Sequence, residues 1–186
     1  MKRLIDIFLA IILLIIFLLP IMVISVILLT FTRSSVLYWS ERVGKNNVIF
    51  KMPKFRSMLS DTPQVATDLL KNPEFYISPI GIFLRKASLD ELPQIYSVLK
   101  GDMSFVGPRP ALFNQKELIE MRNERGIQTL LPGITGWAQV NGRDELLLVK
   151  KVELDQEYLF KKSFLFDMKI LIMTFFAVVR KEGVNF

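Results

Sequence analysis

The first third of the chain is dominated by one apolar block. From Ile7 to Phe31 only Ser25 and Thr30 interrupt a hydrophobic run, which exceeds the roughly 20 residues that a bilayer-spanning helix requires. The run continues through Ser25-Val26-Ile27 with no small-residue cleavage pattern, so it reads as a retained membrane element and not as a removable signal peptide. As a straight helix, residues 4–31 would reach about 42 Å, against a hydrocarbon thickness of roughly 30 Å. Pro20 lies near the middle, where it frees the Ile16 carbonyl and favours a kink. Lys2 and Arg3 precede the block and Arg33 follows it, so charge asymmetry gives no direction across the bilayer. Two geometries fit: a single kinked spanning helix, or a hairpin that enters and leaves on one face.

After Arg33 the periodicity changes to that of a globular domain, giving an expected division into a membrane segment, 1–33, and a domain, 34–186. Val36-Leu37-Tyr38-Trp39 and Val48-Ile49-Phe50 flank a Gly/Asn-containing segment, Glu41 to Asn47, and predict a β-hairpin. Its second strand runs into Lys51 to Met58, where Lys54 and Arg56 point the same way from an extended backbone. Two cations on one face suit a diphosphate; a charged edge strand is the structural alternative. Residues 60–72 read as a polar linker with a short helix around Val65 to Leu70, and 73–79 as irregular chain. Leu92, Ile95, Tyr96 and Leu99 then recur at helical spacing, and Gly101 is a natural C-cap. An amphipathic helix is expected from about Asp144 to Phe160. A second is expected over Ser163 to Arg180, too short and too charged to span and better suited to lying at an interface.

Asp90 and Glu91 stand just ahead of the central apolar periodicity. Ser88-Leu89-Asp90-Glu91 matches a capping box, but a helix starting at Ser88 would carry Pro93 past its first turn, where proline breaks a bond. A start at Asp90 or Glu91 puts Pro93 in the first turn and leaves both carboxylates at a helix mouth, where the dipole favours anions. Arg85 precedes them as a candidate anion clamp. Arg109 sits between Pro108 and Pro110, which stiffen the backbone presenting it. From Pro132 to Asp144, three glycines permit close backbone approach, and Gln139, Asn141 and Arg143 supply polar groups for a sugar or nucleotide; a hairpin with an Asn-Gly turn is the alternative.

Composition narrows the chemistry. The 186 residues include no Cys and no His, which excludes thiol nucleophiles, Ser-His-Asp triads, a histidine base and the usual zinc sites. Carboxylates, Lys, Arg, hydroxyls or a hard oxygen-bound cation must therefore carry any catalysis. The formal charge is +6, of which +2 falls in the first 33 residues and +4 in the rest, with 21 basic and 17 acidic side chains. A mixed, mildly basic surface suits anionic lipid or nucleotide phosphates and gives no reason to invoke nucleic acid.

Lys54-Phe55-Arg56-Ser57-Met58, Arg85 through Gln94, Leu99 through Pro110 and Pro132 through Arg143, in that order, resemble the bacterial sugar transferase family, the small monotopic phosphoglycosyl transferases. The resemblance covers essentially the whole chain. It implies an α+β, mainly helical fold, with an N-terminal re-entrant helix broken at Pro20 on a small cytoplasmic domain that has a short hairpin and interfacial amphipathic helices. It also implies transfer of a sugar 1-phosphate from a UDP-sugar to polyprenol (undecaprenyl) phosphate, with release of UMP, at the bacterial inner membrane. Asp90 would be the nucleophile that becomes an acyl phosphate, and Glu91 its partner, the two also serving Mg²⁺. Lys54, Arg85, Arg109 and Arg143 are the expected phosphate or nucleotide contacts, with Arg56, Asn141 and Asp167 in lesser roles. Membrane lipid and downstream glycosyltransferases are the other expected partners. One departure is that Leu19, not the family's usual serine, precedes Pro20. A non-catalytic membrane scaffold for glycan assembly is the alternative from another class.

Overall fold

The computed structural model describes residues 1–31, 35–59, 62–63, 73–142 and 146–180. The chain is mainly helical. The apolar block forms helix α1 (Lys2–Phe31), 30 residues long and continuous through Pro20; the expected break is not seen as an interruption of the helix. Among the described residues it is the one helix long and apolar enough to cross a membrane. Its buried positions fall into two i, i+4 pairs near the ends, Asp6 with Ala10 and Ile24 with Leu28. The middle carries exposed Ile11, Ile15, Ile16, Leu18, Leu19, Met22 and Val23. Contiguous exposed apolar side chains of this kind are unusual on a water-soluble monomer and fit association with a membrane. Ser25 donates to the Ile21 carbonyl at 2.7 Å, so its hydroxyl is used one turn beyond the Ile16 carbonyl that Pro20 frees.

The hairpin forms as expected and reaches further. Strands β1 (Leu37–Val43) and β2 (Ile49–Phe55) pair antiparallel, from Leu37 opposite Phe55 to Val43 opposite Ile49. The turn between them contains a 3-10 segment, Lys45–Asn47, with Asn46 and Asn47 at φ 53° and 62°, a region that asparagine tolerates better than most residues. In this register Tyr38, Ser40 and Arg42 share a face with Lys54, Met52 and Phe50.

Helix α2 (Pro79–Lys86) is capped by Ser78, whose hydroxyl accepts from the Gly81 amide at 2.9 Å. Asp90 and Glu91 fall in a 3-10 turn, Leu89–Gln94, and the α-helix proper, α3 (Ile95–Lys100), begins only after Pro93. This corrects the expected helix start. Pro93 has no N–H and would crowd the carbonyl four residues back, and the tighter turn accommodates it. Ser88, at φ 53°, makes no capping bond, so the capping-box alternative falls too. Gly101 closes α3 at φ 100°.

A second, two-stranded sheet had no counterpart in the sequence reading: β3 (Ser104–Val106) runs parallel to β4 (Gly133–Thr135). The crossover includes helix α4 (Lys116–Glu124). The glycines expected to approach a ligand approach backbone instead. A Cβ on Gly133 would lie 2.2 Å from the Gly107 nitrogen, and one on Gly136 would lie 2.1 Å from the Gly107 oxygen. Helix α5 (Trp137–Val140) then leads to Asn141-Gly142, which is not a hairpin turn. Helices α6 (Leu148–Lys161) and α7 (Phe164–Arg180) complete the chain. One core joins Ala10 of α1 to Met52, Val98, Phe105, Tyr158 and Ile170, and a second joins Ile24 and Leu28 to Phe55 and Leu84. Both ends of α1 are thus built into the domain. Arg3 donates to the Leu99 carbonyl at 2.7 Å and also bonds the Val98 carbonyl. Asp6 accepts from the Ser104 hydroxyl at 3.0 Å and the Phe105 amide at 3.1 Å. The short helix expected around Val65 to Leu70 lies outside the described residues.

Candidate active site

The face of β2 that carries Lys54 meets the 3-10 turn that carries the two acids. Lys54 Nζ donates to Glu91 Oε1 at 2.7 Å, and Arg109 Nη2 reaches the same oxygen at 3.1 Å. Lys54 and Glu91 are largely buried, with side chains 16% and 20% exposed, and Arg109 is 43% exposed. Burial alone would raise the Glu91 carboxyl, but Lys54 and Arg109 outweigh it and hold the group well below the usual carboxylate range. Burial lowers Lys54, with Glu91 opposing most strongly. Its Nζ lies 2.7 Å from the Glu91 oxygen, a distance at which the two form an ion pair.

Asp90 differs from its neighbour. It is 7% exposed, and among the described residues its carboxylate accepts no hydrogen bond. Burial raises its pKa; Lys54 opposes this, the Glu91 charge adds to it, and Arg85 and Arg109 pull it back. One acid is therefore ionised and engaged, and the other is unengaged, more basic and surrounded by cations. A nucleophile and its charged support need that division of labour.

Five of the expected site residues come together here: Asp90, Glu91, Lys54, Arg109 and Arg85, the last from α2, where Nη2 also lies 3.7 Å from Met58 Sδ. Arg56 does not join them. Strand β2 ends at Phe55, the Arg56 amide bonds the Val36 carbonyl, and its guanidinium turns to the Ser35 carbonyl and hydroxyl, 3.0 and 2.7 Å away. Arg56 stays on the Lys54 side of the hairpin, 6.0 Å from the centre of the Tyr38 ring that lies opposite Lys54, but its guanidinium is bonded to Ser35 and does not converge with Lys54 on Glu91. Asn141 spends its side-chain amide on the Trp137 carbonyl at 2.7 Å, and Gln139 donates to the Ile134 carbonyl at 2.9 Å. Asp167 accepts from Tyr158 at 2.7 Å and pairs with Lys2, tying α7 to α6 and α1. Arg143 lies outside the described residues.

The sequence reading missed Arg42. Its Nη1 donates to the Pro110 carbonyl at 3.2 Å and its Nε to Ser40 Oγ at 3.0 Å. Burial, then Arg109, lower its pKa, while Glu91 supports its charge. The signal was the alternation Tyr38, Ser40, Arg42, legible only once β1 is known to run on to Val43.

Among the described residues no group of three or more acidic side chains could hold a metal unaided. The donor set still fits Mg²⁺, which takes one or two carboxylates and completes its shell with substrate phosphates and water. Both cations bond the same oxygen of Glu91, leaving Oε2 to accept, and the Asp90 oxygens are likewise unengaged.

Residues 1–181 match the family model described as bacterial sugar transferase. The chain is 41% identical over 152 residues to the uncharacterized sugar transferase EpsL of Bacillus subtilis, covering 82% of this chain and 74% of that one. It is 34% identical over 164 residues to the exopolysaccharide production protein ExoY of Sinorhizobium fredii, covering 80% and 72%. Against the undecaprenyl-phosphate galactose phosphotransferase of Salmonella typhimurium it is 36% identical over 165 residues, covering 79% of this chain but only 34% of that longer protein. With a family match over residues 1–181 and relatives of this closeness, the chain belongs to the bacterial sugar transferase family.

Proposed function

We propose that this transferase moves a sugar 1-phosphate from a UDP-sugar to a polyprenol phosphate such as undecaprenyl phosphate, in two displacements through Asp90. In the first, an Asp90 oxygen attacks the phosphorus that bears the sugar. The bond from that phosphorus to UMP breaks, and an aspartyl phosphosugar forms. In the second, a phosphate oxygen of the polyprenol attacks the same phosphorus, a diphosphate linkage forms, and Asp90 leaves as a carboxylate. The observation that carries this reading is the contrast between the adjacent acids: Asp90 is buried without a hydrogen-bond partner among the described residues, and Glu91 is held by Lys54 and Arg109.

Phosphoryl transfer is driven by positioning and charge neutralisation more than by covalent help from the protein. Lys54 and Arg109 are held on Glu91 until a diphosphate offers them a competing anion, and Arg85 is close enough to Asp90 to oppose the effect of its burial. Glu91 Oε2 and the Asp90 carboxylate would hold Mg²⁺ together with donor phosphate oxygens. When bound, the ion supplies further neutralisation of the diphosphate. The names of relatives that act on undecaprenyl phosphate support the acceptor, and one named as a UDP-galactose-lipid carrier transferase supports the donor class.

Our reading of α1 is re-entrant. Arg3 and Asp6 near one end and Ile24 and Leu28 near the other bear on the same domain, while the middle is apolar and exposed. A helix dipping into one leaflet and returning accounts for all three facts and sets the site at the cytoplasmic face of the inner membrane, where a soluble nucleotide sugar meets a lipid phosphate. Exposed Ile172, Phe175 and Phe176, on one face of α7, suit the same interface.

The deciding experiment incubates the purified full chain in nanodiscs with UDP-sugars alone. A mass increment equal to one phosphosugar on the peptide containing Asp90, absent in Asp90→Asn, is expected. Undiminished UMP release by Asp90→Ala would overturn the mechanism.

A further inference from the structure

Arg109 reaches Glu91 from the segment Pro108-Arg109-Pro110, and three successive carbonyls of that segment are each held. Pro108 O accepts from the Gly133 amide at 2.9 Å. Arg109 O accepts from Arg122 Nη1 at 2.9 Å. Pro110 O accepts from Arg42 Nη1 at 3.2 Å. Arg122, on α4, is in turn gripped by Asp155 on α6, with Nε and Nη2 donating to Asp155 Oδ2 at 3.0 and 2.6 Å. The Asp155 side chain is 2% exposed and that of Arg122 is 13% exposed.

A buried ion pair is a poor source of net stability, because desolvation offsets most of the attraction. This pair has a second consequence. With two nitrogens committed to Asp155, the planar guanidinium has a fixed orientation, and its remaining Nη1 is aimed at one backbone oxygen. That oxygen belongs to the residue whose side chain serves the candidate active site. We propose that Arg122, oriented by Asp155, is a positioning residue that sets the backbone of Arg109 so that its guanidinium can serve Glu91 and the phosphates of the sugar donor. This rests on the proposed function for the identity of the donor only. The placement of the segment is a property of the protein by itself.

The test uses the full chain in nanodiscs, donor kinetics and hydrogen exchange. Replacing the pair together, Arg122→Met with Asp155→Leu, removes the clamp without stranding a buried charge. We expect the KM for UDP-sugar to rise ~10-fold or more, the loss of one charge-assisted contact, and exchange to quicken across residues 107–112 while α4 and α6 stay protected. Arg109→Met should raise KM to a similar extent with exchange unchanged. In the triple variant the losses should not multiply, since both changes remove one function. Should the paired replacement fail to fold, Arg122→Lys keeps a cation for Asp155 but lacks the planar fork that carries a separate nitrogen to the Arg109 carbonyl, and the same rise in KM is expected.

Wild-type KM and exchange in the paired variant or in Arg122→Lys would overturn the proposal, as would multiplied losses in the triple variant. If exchange quickens but Arg109→Met leaves KM unchanged, the positioning of the segment stands and the assignment of Arg109 to the donor falls.

Discussion

Replacing Lys54 with methionine keeps most of the length of the side chain and removes its charge from a site where that charge has two roles. At an effective dielectric of 20, unit charges about 3 Å apart attract by ~5–6 kcal/mol, and desolvation takes back most of that. Stranding a buried carboxylate completely costs about 3–5 kcal/mol. Here Arg109 stays on the same Glu91 oxygen at 3.1 Å, so a loss of about 2–3 kcal/mol is expected for Lys54→Met. Glu91→Gln in the same background should recover at least ~1.5 kcal/mol, because the amide needs no cation.

The pH dependence has a definite sign. Lys54 and Arg109 hold Glu91 below its unfolded-state value, so its ionisation stabilises the fold above the ordinary carboxylate range. That contribution is lost as pH falls through the depressed folded value. Without Lys54 the folded value rises, and acid unfolding should begin at higher pH. Chemical denaturation of the four proteins of the cycle from pH 8 down through the ordinary carboxylate range and below it, in nanodiscs, measures both effects. Purely additive changes, or an unshifted acid limb in Lys54→Met, would refute the argument that this lysine keeps Glu91 charged. In turnover, Lys54→Met should lose ~10²–10³-fold, since a preorganised cation is removed from a site of charge development.

Other outcomes follow from the same geometry. Burial raises Asp90, so kcat/KM should climb with pH through that raised value, and Arg85→Met should move the midpoint higher. The stability sign is the reverse of that for Glu91: the buried Asp90 carboxyl favours the fold while protonated, and the contribution fades as pH rises through its folded value. Asp90→Asn should therefore unfold later than wild type at neutral pH while being inactive, checked by thermal unfolding beside UMP release. Gly133→Ala would place a methyl 2.2 Å from the Gly107 nitrogen and 2.4 Å from the Thr135 oxygen; backbone cannot yield as a flexible side chain can, so a Tm drop of several degrees or failure to fold is expected. Asp6→Ala strands the Phe105 amide at a cost of about 1–3 kcal/mol, read as an earlier unfolding transition.

The apolar helix α1, the central helix, the two C-terminal helices and the hairpin were legible because their signals are local: an apolar block, a Gly/Asn turn, a leucine and isoleucine period closed by Gly101; α2, α4 and α5 had no counterpart in the sequence reading. Asp90, Glu91, Lys54, Arg85 and Arg109 were legible as charged residues in otherwise constrained segments, and they converge. What could not be read was pairing between distant segments. Gly133 and Gly136 look like ligand-approach glycines until β3 is seen against β4. Arg42 looks like a turn residue until the hairpin register is known. Arg56 follows Lys54 with the right spacing, but its guanidinium is taken up by Ser35. In each case local sequence fixes the element, and the partner that decides the residue's role arrives from elsewhere in the chain.

The same dependence on distant partners explains why the membrane helix and the site form one unit. Arg3 bonds carbonyls at the C-terminal end of α3, just after the turn that carries Asp90 and Glu91. Asp6 holds the start of β3, and three residues past that strand lies Arg109. The first two turns of α1 thus bear on the elements that follow Asp90 and precede Arg109. Its far end, through Ile24 and Leu28, packs against Phe55, next to Lys54. An apolar helix that touches the sequence neighbours of Asp90, of Lys54 and of Arg109 is placed to hold their relative positions as well as to associate the chain with a membrane.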